Sequence, residues 1–246
     1  MADLLRLDQL LVLRGLFGSR SRARDAIGRG AVRVAGAAAG KAGQMVASDV
    51  ELTIDDPARA YVSRAALKLI AALDHFGLSP SGLSCLDIGA STGGFTQVLL
   101  ERGARHVTAL DVGHGQLDPR IAGDPRVTGL EGVNARALDG DMLAGPVGAV
   151  VSDVSFISLT LALPPALALA EPGAWLAALV KPQFEAGREA IGKGGILKDP
   201  ARGPRIAADL EDWLNSLGGW RSLGVIPSPI AGGDGNREYL LAGRKA

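Results

Sequence analysis

Apolar positions along the chain follow two regimes. Over the first fifty residues they come in short pieces: Leu7, Leu10 and Leu11 recur at i, i+3 and i+4 before Gly15. Ala23, Ala26 and Ile27 repeat that spacing between Ser19 or Ser21 and the glycines at 28 and 30. Both stretches predict short amphipathic helices, the second capped by a serine hydroxyl and ended by glycine. This leaves Arg20, Arg22, Arg24 and Arg29 on the solvent side. Val32 and Val34 alternate with Arg33, and Val46 to Ile54 reads as extended, which predicts a short sheet. Asp55-Asp56-Pro57 then interrupts both periodicities.

Beyond that break the apolar runs lengthen. A helix is expected from Tyr61 to about His75, with Leu67, Ile70 and Leu73 or Asp74 marking its faces. Buried strands are expected at Cys85–Ile88, Val107–Asp111, after Arg126, at Gly148–Asp153 and at Ala174–Val180, with helical spacing returning between them. A helix beginning at Asp199 or Pro200 runs through Ile206, Leu210, Trp213 and Leu214, and Ser222–Pro227 with Arg237–Gly243 reads as a final antiparallel pair. Gly187 to Gly195 is too glycine-rich for regular structure and reads as a flap over a crevice or a plain surface loop. Strands alternating with helices predict an α/β fold, mostly parallel with helices on both faces and an antiparallel last strand, over residues 65–246. A small α+β domain over residues 1–56 and a linker over 57–64 precede it.

Composition narrows the classes. An apolar fraction of 47% in 246 residues argues against a disordered chain. The lone Cys85 excludes an internal disulfide framework and a multi-cysteine zinc site, and His75, His106 and His114 lack metal spacing, so no metal is expected. The start of the chain has no export pattern, and the most apolar region, Leu159 to Val180, is broken by Pro164, Pro165, Glu171 and Pro172. No membrane association and a cytoplasmic location are expected. The net charge of zero hides a split: residues 1–41 hold eight basic against three acidic side chains. That surplus suggests a polyanion partner for the first domain.

The chemistry concentrates at strand ends. Cys85-Leu86-Asp87-Ile88 runs into Gly89-Ala90-Ser91-Thr92-Gly93-Gly94-Phe95 and then a helix, a turn whose glycines admit a ligand close to the backbone. About twenty residues on, Asp111 ends a second strand, where a carboxylate can bond ribose hydroxyls. Asp153 and Lys181 end two more, and in an open parallel sheet all of these point to one crevice. The glycine spacing is not that of a dinucleotide binder, which leaves a nicotinamide site as a minor reading.

Several of these motifs carry family resemblances. Asp87 to Phe95 resembles the S-adenosylmethionine loop of methyltransferases, especially the FtsJ-like ribose methyltransferases. Arg6-Leu7-Asp8, Ser19-Arg20-Ser21-Arg22, Ile27 to Gly36 and Asp49 resemble the RNA-binding domain first known from ribosomal protein S-four, departing from it at Ala35, where asparagine is usual, and at Ala42, where proline is common. Tyr61-Val62-Ser63-Arg64-Ala65-Ala66-Leu67-Lys68-Leu69 is similar to a signature of the TlyA family, with Ala65 and Ala66 in place of glycines. Asp111-Val112-Gly113-His114-Gly115, Ser152 to Ser158, Val180 to Glu185 and Gly235 to Tyr239 are TlyA-like as well.

The resemblance implies a Rossmann-like methyltransferase fold and methyl transfer from S-adenosylmethionine to a cytidine ribose 2′-hydroxyl of ribosomal RNA. It places Asp87, Gly89, Ala90, Ser91, Thr92, Gly93, Gly94, Phe95, Asp111, Val112, Asn134 and Asp153 at the cofactor. It implies a catalytic set of Lys68, Asp153, Lys181 and Glu238, with Lys181 as general base, Asp153 and Glu238 positioning it, and Lys68 holding hydroxyl or phosphate. Arg6, Arg20, Arg22, Arg24, Arg29, Arg33 and Arg64 would contact RNA, as naked ribosomal RNA or in ribosomal subunits. Members of the family also carry the name hemolysin. A membrane-active protein and a catalytically idle RNA-binding protein are the competing readings, and a dehydrogenase is the weakest.

Overall fold

The structure is a computed structural model that describes residues 3–233 and 235–246. The chain divides into two units, Met1–Ala60 and Tyr61–Ala246. In the first, β1 (Leu4–Arg6) leads directly into α1 (Leu7–Leu13), followed by α2 (Arg20–Gly28), β2 (Val32–Val34), β3 (Ala37–Ala38), β4 (Met45–Ala47) and β5 (Leu52–Ile54). The Ser19 hydroxyl accepts from the amide of Arg22 and starts α2. The stripes anticipated on the two helices, Leu7, Leu10, Leu11 and Ala23, Ala26, Ile27, meet in one core with Phe17, Val32 and Val46.

The short sheet is in fact two. β1 pairs with β4, and β3-β2-β5 form a separate antiparallel sheet. Val46 to Ile54 is therefore not one extended run, because a turn that closes through Val50 N to Ala47 O at 3.1 Å sends its halves to different sheets. The β2–β3 hairpin turns on Ala35 and Gly36, both at positive φ (47° and 80°). That is the requirement of a two-residue type I′ turn, and alanine meets it poorly.

The second unit opens with α3 (Ala66–Phe76) and then alternates: β6 (Ser84–Ile88), α4 (Gly94–Glu101), β7 (His106–Asp111), α5 (Pro119–Ala122), β8 (Val127–Glu131), β9 (Val147–Ser152), α6 (Leu159–Ala162), α7 (Pro164–Leu169), β10 (Ala170–Val180), α8 (Pro182–Glu185), α9 (Gly203–Ser216), β11 (Trp220–Pro227) and β12 (Tyr239–Lys245). One seven-stranded sheet results, in the order β8-β7-β6-β9-β10-β12-β11. β8, β7, β6, β9 and β10 are mutually parallel, and β12 runs antiparallel to both of its neighbours. This is the mostly parallel α/β architecture with an antiparallel last strand that the sequence predicts.

Both faces of the sheet are covered, as a period of two along buried strands requires. Leu86, Ile88, Val150, Leu176 and Ala178 face Leu159, Leu163, Leu210 and Leu214 on one side. Cys85, Val107, Ala149, Val151 and Leu179 face Leu69, Leu73, Phe95 and Leu99 on the other. Burial pushes the Cys85 thiol up to about 12, which leaves it a core residue without nucleophilic character. From β6 the chain moves outward through β7 and β8, then returns to the opposite flank of β6 at β9. That reversal opens a crevice at the carboxyl ends of β6 and β9.

Two expectations shift. The helix anticipated from Tyr61 begins at Ala66, because the Val62 amide is taken by Gln97 Oε1 at 2.8 Å and the next residues turn through Ser63. Its buried face is Ala66, Lys68, Leu69, Ala72 and Leu73, so that of the anticipated markers Leu73 is buried and Leu67 and Ile70 are half-buried. The glycine-rich stretch, expected to lack regular structure as a flap or a plain surface loop, has some. Short 3₁₀ turns at Arg188–Ala190 and Lys193–Gly195 are pinned by the buried Asn236, whose Oδ1 accepts from Leu197 N at 3.0 Å and whose Nδ2 donates to Gly195 O at 3.0 Å. Among the described residues no helix is long and apolar enough to cross a membrane, and no cluster of three metal-ligating side chains occurs.

Candidate active site

The loop after β6 is shaped first by its protein neighbours. Gly89 has φ +81°, and a Cβ there would stand 3.0 Å from Asp153 O and 3.1 Å from Val154 Cα. Only glycine lets the ends of β6 and β9 come this close. A Cβ on Gly93 (φ +92°) would meet Ile121 and Leu117 at 3.0 and 3.1 Å, and one on Gly94 would meet Ser63 Cβ at 2.8 Å. Ser91, at φ +46°, is a non-glycine residue in left-handed backbone. Its amide donates to Asp111 Oδ2 at 2.8 Å, and Gly113 N donates to Oδ1 at 2.8 Å, so Asp111 is held at the rim of β7.

A cleft of about 640 Å³ lies against this loop. Of the anticipated cofactor residues, Gly89, Ser91, Asp111, Val112, Asn134 and Asp153 line it. An adjoining lobe of about 150 Å³ takes in Ala90, Thr92, Gly94, Phe95 and Lys181, and shares Gly89, Ser91, Asp153 and Ser155 with the larger space. Two anticipated residues line neither. Gly93 is turned toward α5, and Asp87 is fully buried beneath the loop. Asp87 Oδ2 accepts from Thr96 Oγ1 at 2.7 Å while Oδ1 has no partner. Burial pushes this carboxyl up to about 7, the charges of Asp153 and Asp111 adding to the effect and the Thr96 hydrogen bond opposing it.

The four residues of the anticipated catalytic set form two separate ion pairs. Lys181 Nζ lies 2.6 Å from Asp153 Oδ1, a charge contact outside hydrogen-bond alignment, and donates to Ser155 Oγ at 2.8 Å. Lys68 Nζ donates to Glu238 Oε2 at 2.5 Å, with the two side chains only 7% and 3% exposed. Glu238 is thus not a partner of Lys181. The register Val180↔Tyr239 sets Glu238 level with Lys181, but its carboxylate turns to the buried ammonium on α3, which needs a counter-charge more than the partly open Lys181 does.

Three residues around Lys181 escape sequence reading. Ser155 holds the ammonium. Glu185 accepts from Ser158 Oγ at 2.5 Å and from Leu159 N at 2.9 Å, so the segment after Lys181 is tied to the segment after Asp153, and burial raises the Glu185 carboxyl. Phe156 is 90% exposed at φ +66°, with its ring centroid 5.0 Å from that of Phe184. A bulky aromatic held in left-handed backbone and offered to solvent is an outlier that the surrounding fold must hold in place. Only the backbone angle reveals it.

In the first unit, Asp8 is completely buried and gathers Arg6, Arg20 and Arg24 on its carboxylate. Arg6 holds it well below the usual carboxylate range, with help from Arg20 and Arg24 and against its burial. Arg29 does not stand on the solvent side: it is bonded to Asp25 at 2.9 Å and to both oxygens of Asp56 at 2.8 and 3.0 Å, because the end of α2 packs against the segment after β5. Arg33 is exposed, while Arg22 and Arg64 are half-buried.

Residues 61–245 match the FtsJ-like methyltransferase family, and residues 5–52 match the S4 domain. A 16S/23S rRNA (cytidine-2′-O)-methyltransferase TlyA of Mycobacterium tuberculosis is 47% identical over 242 residues, 98% of this chain and 90% of that protein. The protein named Hemolysin A of Brachyspira hyodysenteriae is 39% identical, covering 96% of this chain and 98% of its own length. Among solved structures, one described as a hemolysin from Streptococcus thermophilus superposes with a TM-score of 0.76 at 38% identity, over 100% of this chain and 90% of that one.

Proposed function

The chain belongs to the TlyA family of FtsJ-like methyltransferases, with an S4 domain at its start, and from that membership we infer that it methylates a cytidine ribose 2′-hydroxyl of ribosomal RNA using S-adenosylmethionine. The residues fit such a cofactor. The cleft has the volume for an adenosine, Asp111 faces it with carboxylate lone pairs to spare for a ribose diol, and Leu110, Ala135 and Ile157 give the apolar wall a purine needs. Asn134 lies beside that wall. Bound there, the cofactor supplies an electrophilic methyl group on a sulfonium.

The observation that carries the reading is the Lys181–Asp153 pair at the mouth of the smaller lobe, beside the cleft. Lys181 Nζ, as the free amine left once its ammonium has given a proton to solvent, takes the proton from the ribose hydroxyl as that oxygen bonds the methyl carbon and the carbon–sulfur bond breaks to leave a neutral thioether, and Asp153 and Ser155 keep the nitrogen aimed. The buried Lys68–Glu238 pair fixes α3 to the residue that precedes β12. Phe156 offers a face on which the target base can stack once drawn out of its helix. With ribosomal RNA as substrate, the reaction is a cytoplasmic one.

Lys181→Ala tests the assignment. Methyl transfer should fall by about 10²–10⁴-fold, with cofactor affinity retained. Unchanged transfer would remove Lys181 as the base, and an inactive wild-type protein that still binds the cofactor would favour the idle RNA-binding reading.

A further inference from the structure

The Asp8 carboxylate sits in the first turn of α1 with no exposed surface, and five hydrogen bonds of 3.0–3.3 Å reach it from three arginines on two elements. Arg6 closes on it as a two-pronged fork, Arg20 brings Nε and Nη2, and Arg24 brings Nε. The three arginine side chains themselves remain 40%, 44% and 54% exposed. Those five bonds occupy a third of the fifteen N–H donors the three side chains carry. One anion therefore stands under three cations, and a surplus of two positive charges is held on partly exposed side chains, with ten of their fifteen donors not taken by Asp8.

Such an arrangement costs mutual repulsion among the arginines, and a second anion placed over them relieves it. Building on the ribosomal RNA reading above, we propose that Asp8 is a positioning residue that locks Arg6, Arg20 and Arg24 into a single cradle for one RNA phosphodiester. Asp8 touches no RNA; it removes the rotamer freedom that three long side chains would otherwise lose on binding. The three arginines act on one phosphate as a unit, not on three phosphates in turn.

The sign of one substitution decides between this role and simple charge. Asp8→Asn deletes a negative charge from a basic face, so electrostatics alone predicts tighter RNA binding. Pre-organisation predicts the reverse, a loss of roughly tenfold, in full-length protein whose thermal unfolding shows the first unit still folded. The probe is ribosomal RNA titrated across a salt series. Equal or tighter binding by a folded Asp8→Asn protein would overturn the proposal. Should that variant unfold, Arg20→Gln, Arg24→Gln and the double variant decide the same question. A shared phosphate predicts that the double loss falls short of the summed single losses and that the slope of log affinity on log salt drops by about one in all. Additive losses and a drop of about two would overturn it. Wild-type protein with no affinity for ribosomal RNA would overturn the RNA reading itself.

Discussion

Asp87 shows how one buried carboxylate ties stability to pH. Its folded-state pKa of about 7 lies above the ordinary carboxylate value because burial disfavours the charge. Between about pH 4 and pH 7 the unfolded chain has released this proton and the folded chain has kept it, so stability falls as pH rises through that window. Asp8 acts in the opposite sense: its lowered pKa contributes stability that is present above about pH 4 and lost in acid. Asp87→Asn should therefore gain on the wild type by an amount growing from near zero at pH 4 to on the order of 4 kcal/mol at pH 7. Urea unfolding of both proteins across that range checks it, and a pH-independent difference would contradict the assignment. Cys85 adds nothing at these pH values, its thiol being raised by burial.

Elements make two further predictions. The β2–β3 hairpin places Ala35 in left-handed backbone beside Gly36, where the related pattern has asparagine. Ala35→Asn supplies the residue a type I′ turn prefers and should stabilise the first unit by about 0.5–1 kcal/mol, seen as a higher midpoint of thermal unfolding. An unchanged or lower midpoint would mean that the turn is not strained. The Lys68–Glu238 pair joins α3 to the approach of β12 with almost no solvent access. Removing one partner, as in Glu238→Ala, strands a buried charge and should cost about 3–5 kcal/mol. Replacing both by apolar residues of similar size should recover much of that loss, and denaturant titration of the three proteins measures it.

The same elements show which features were legible. Leu7, Leu10 and Leu11 state their face through spacing alone, and the buried apolar runs that lead to Asp87, Asp111, Asp153 and Lys181 mark the strands and their ends. The partner of Glu238 did not, because which of two lysines wins a carboxylate depends on burial, a tertiary quantity that spacing does not encode. Arg29 is hidden from the sequence for a related reason: the carboxylate that claims it, Asp56, lies 27 residues along the chain. Phe156 and Ser155 lie inside a recognised motif, yet their roles rest on a backbone angle and a 2.8 Å contact that exist only in the fold. Gly89, Gly93 and Gly94 are expected from closeness to a ligand, and protein neighbours crowd each of them as well: the Asp153 backbone at Gly89, Ile121 at Gly93 and Ser63 at Gly94.

At the scale of the whole molecule, the zero net charge conceals a division of labour: eight basic against three acidic side chains in residues 1–41, and a cofactor-sized cleft in the second unit. Binding to ribosomal RNA through arginine–phosphate contacts should weaken steeply between about 50 and 200 mM salt, whereas cofactor binding should not. The reaction assigned to the second unit is methyl transfer to ribose. Its most direct test follows labelled methyl from S-adenosylmethionine into purified ribosomal subunits, with nuclease digestion to locate the label. Label recovered in 2′-O-methylated cytidine, and lost with Lys181→Ala, is the predicted result. Label on a base, or none on either subunit or on naked ribosomal RNA from protein that binds the cofactor, would contradict it.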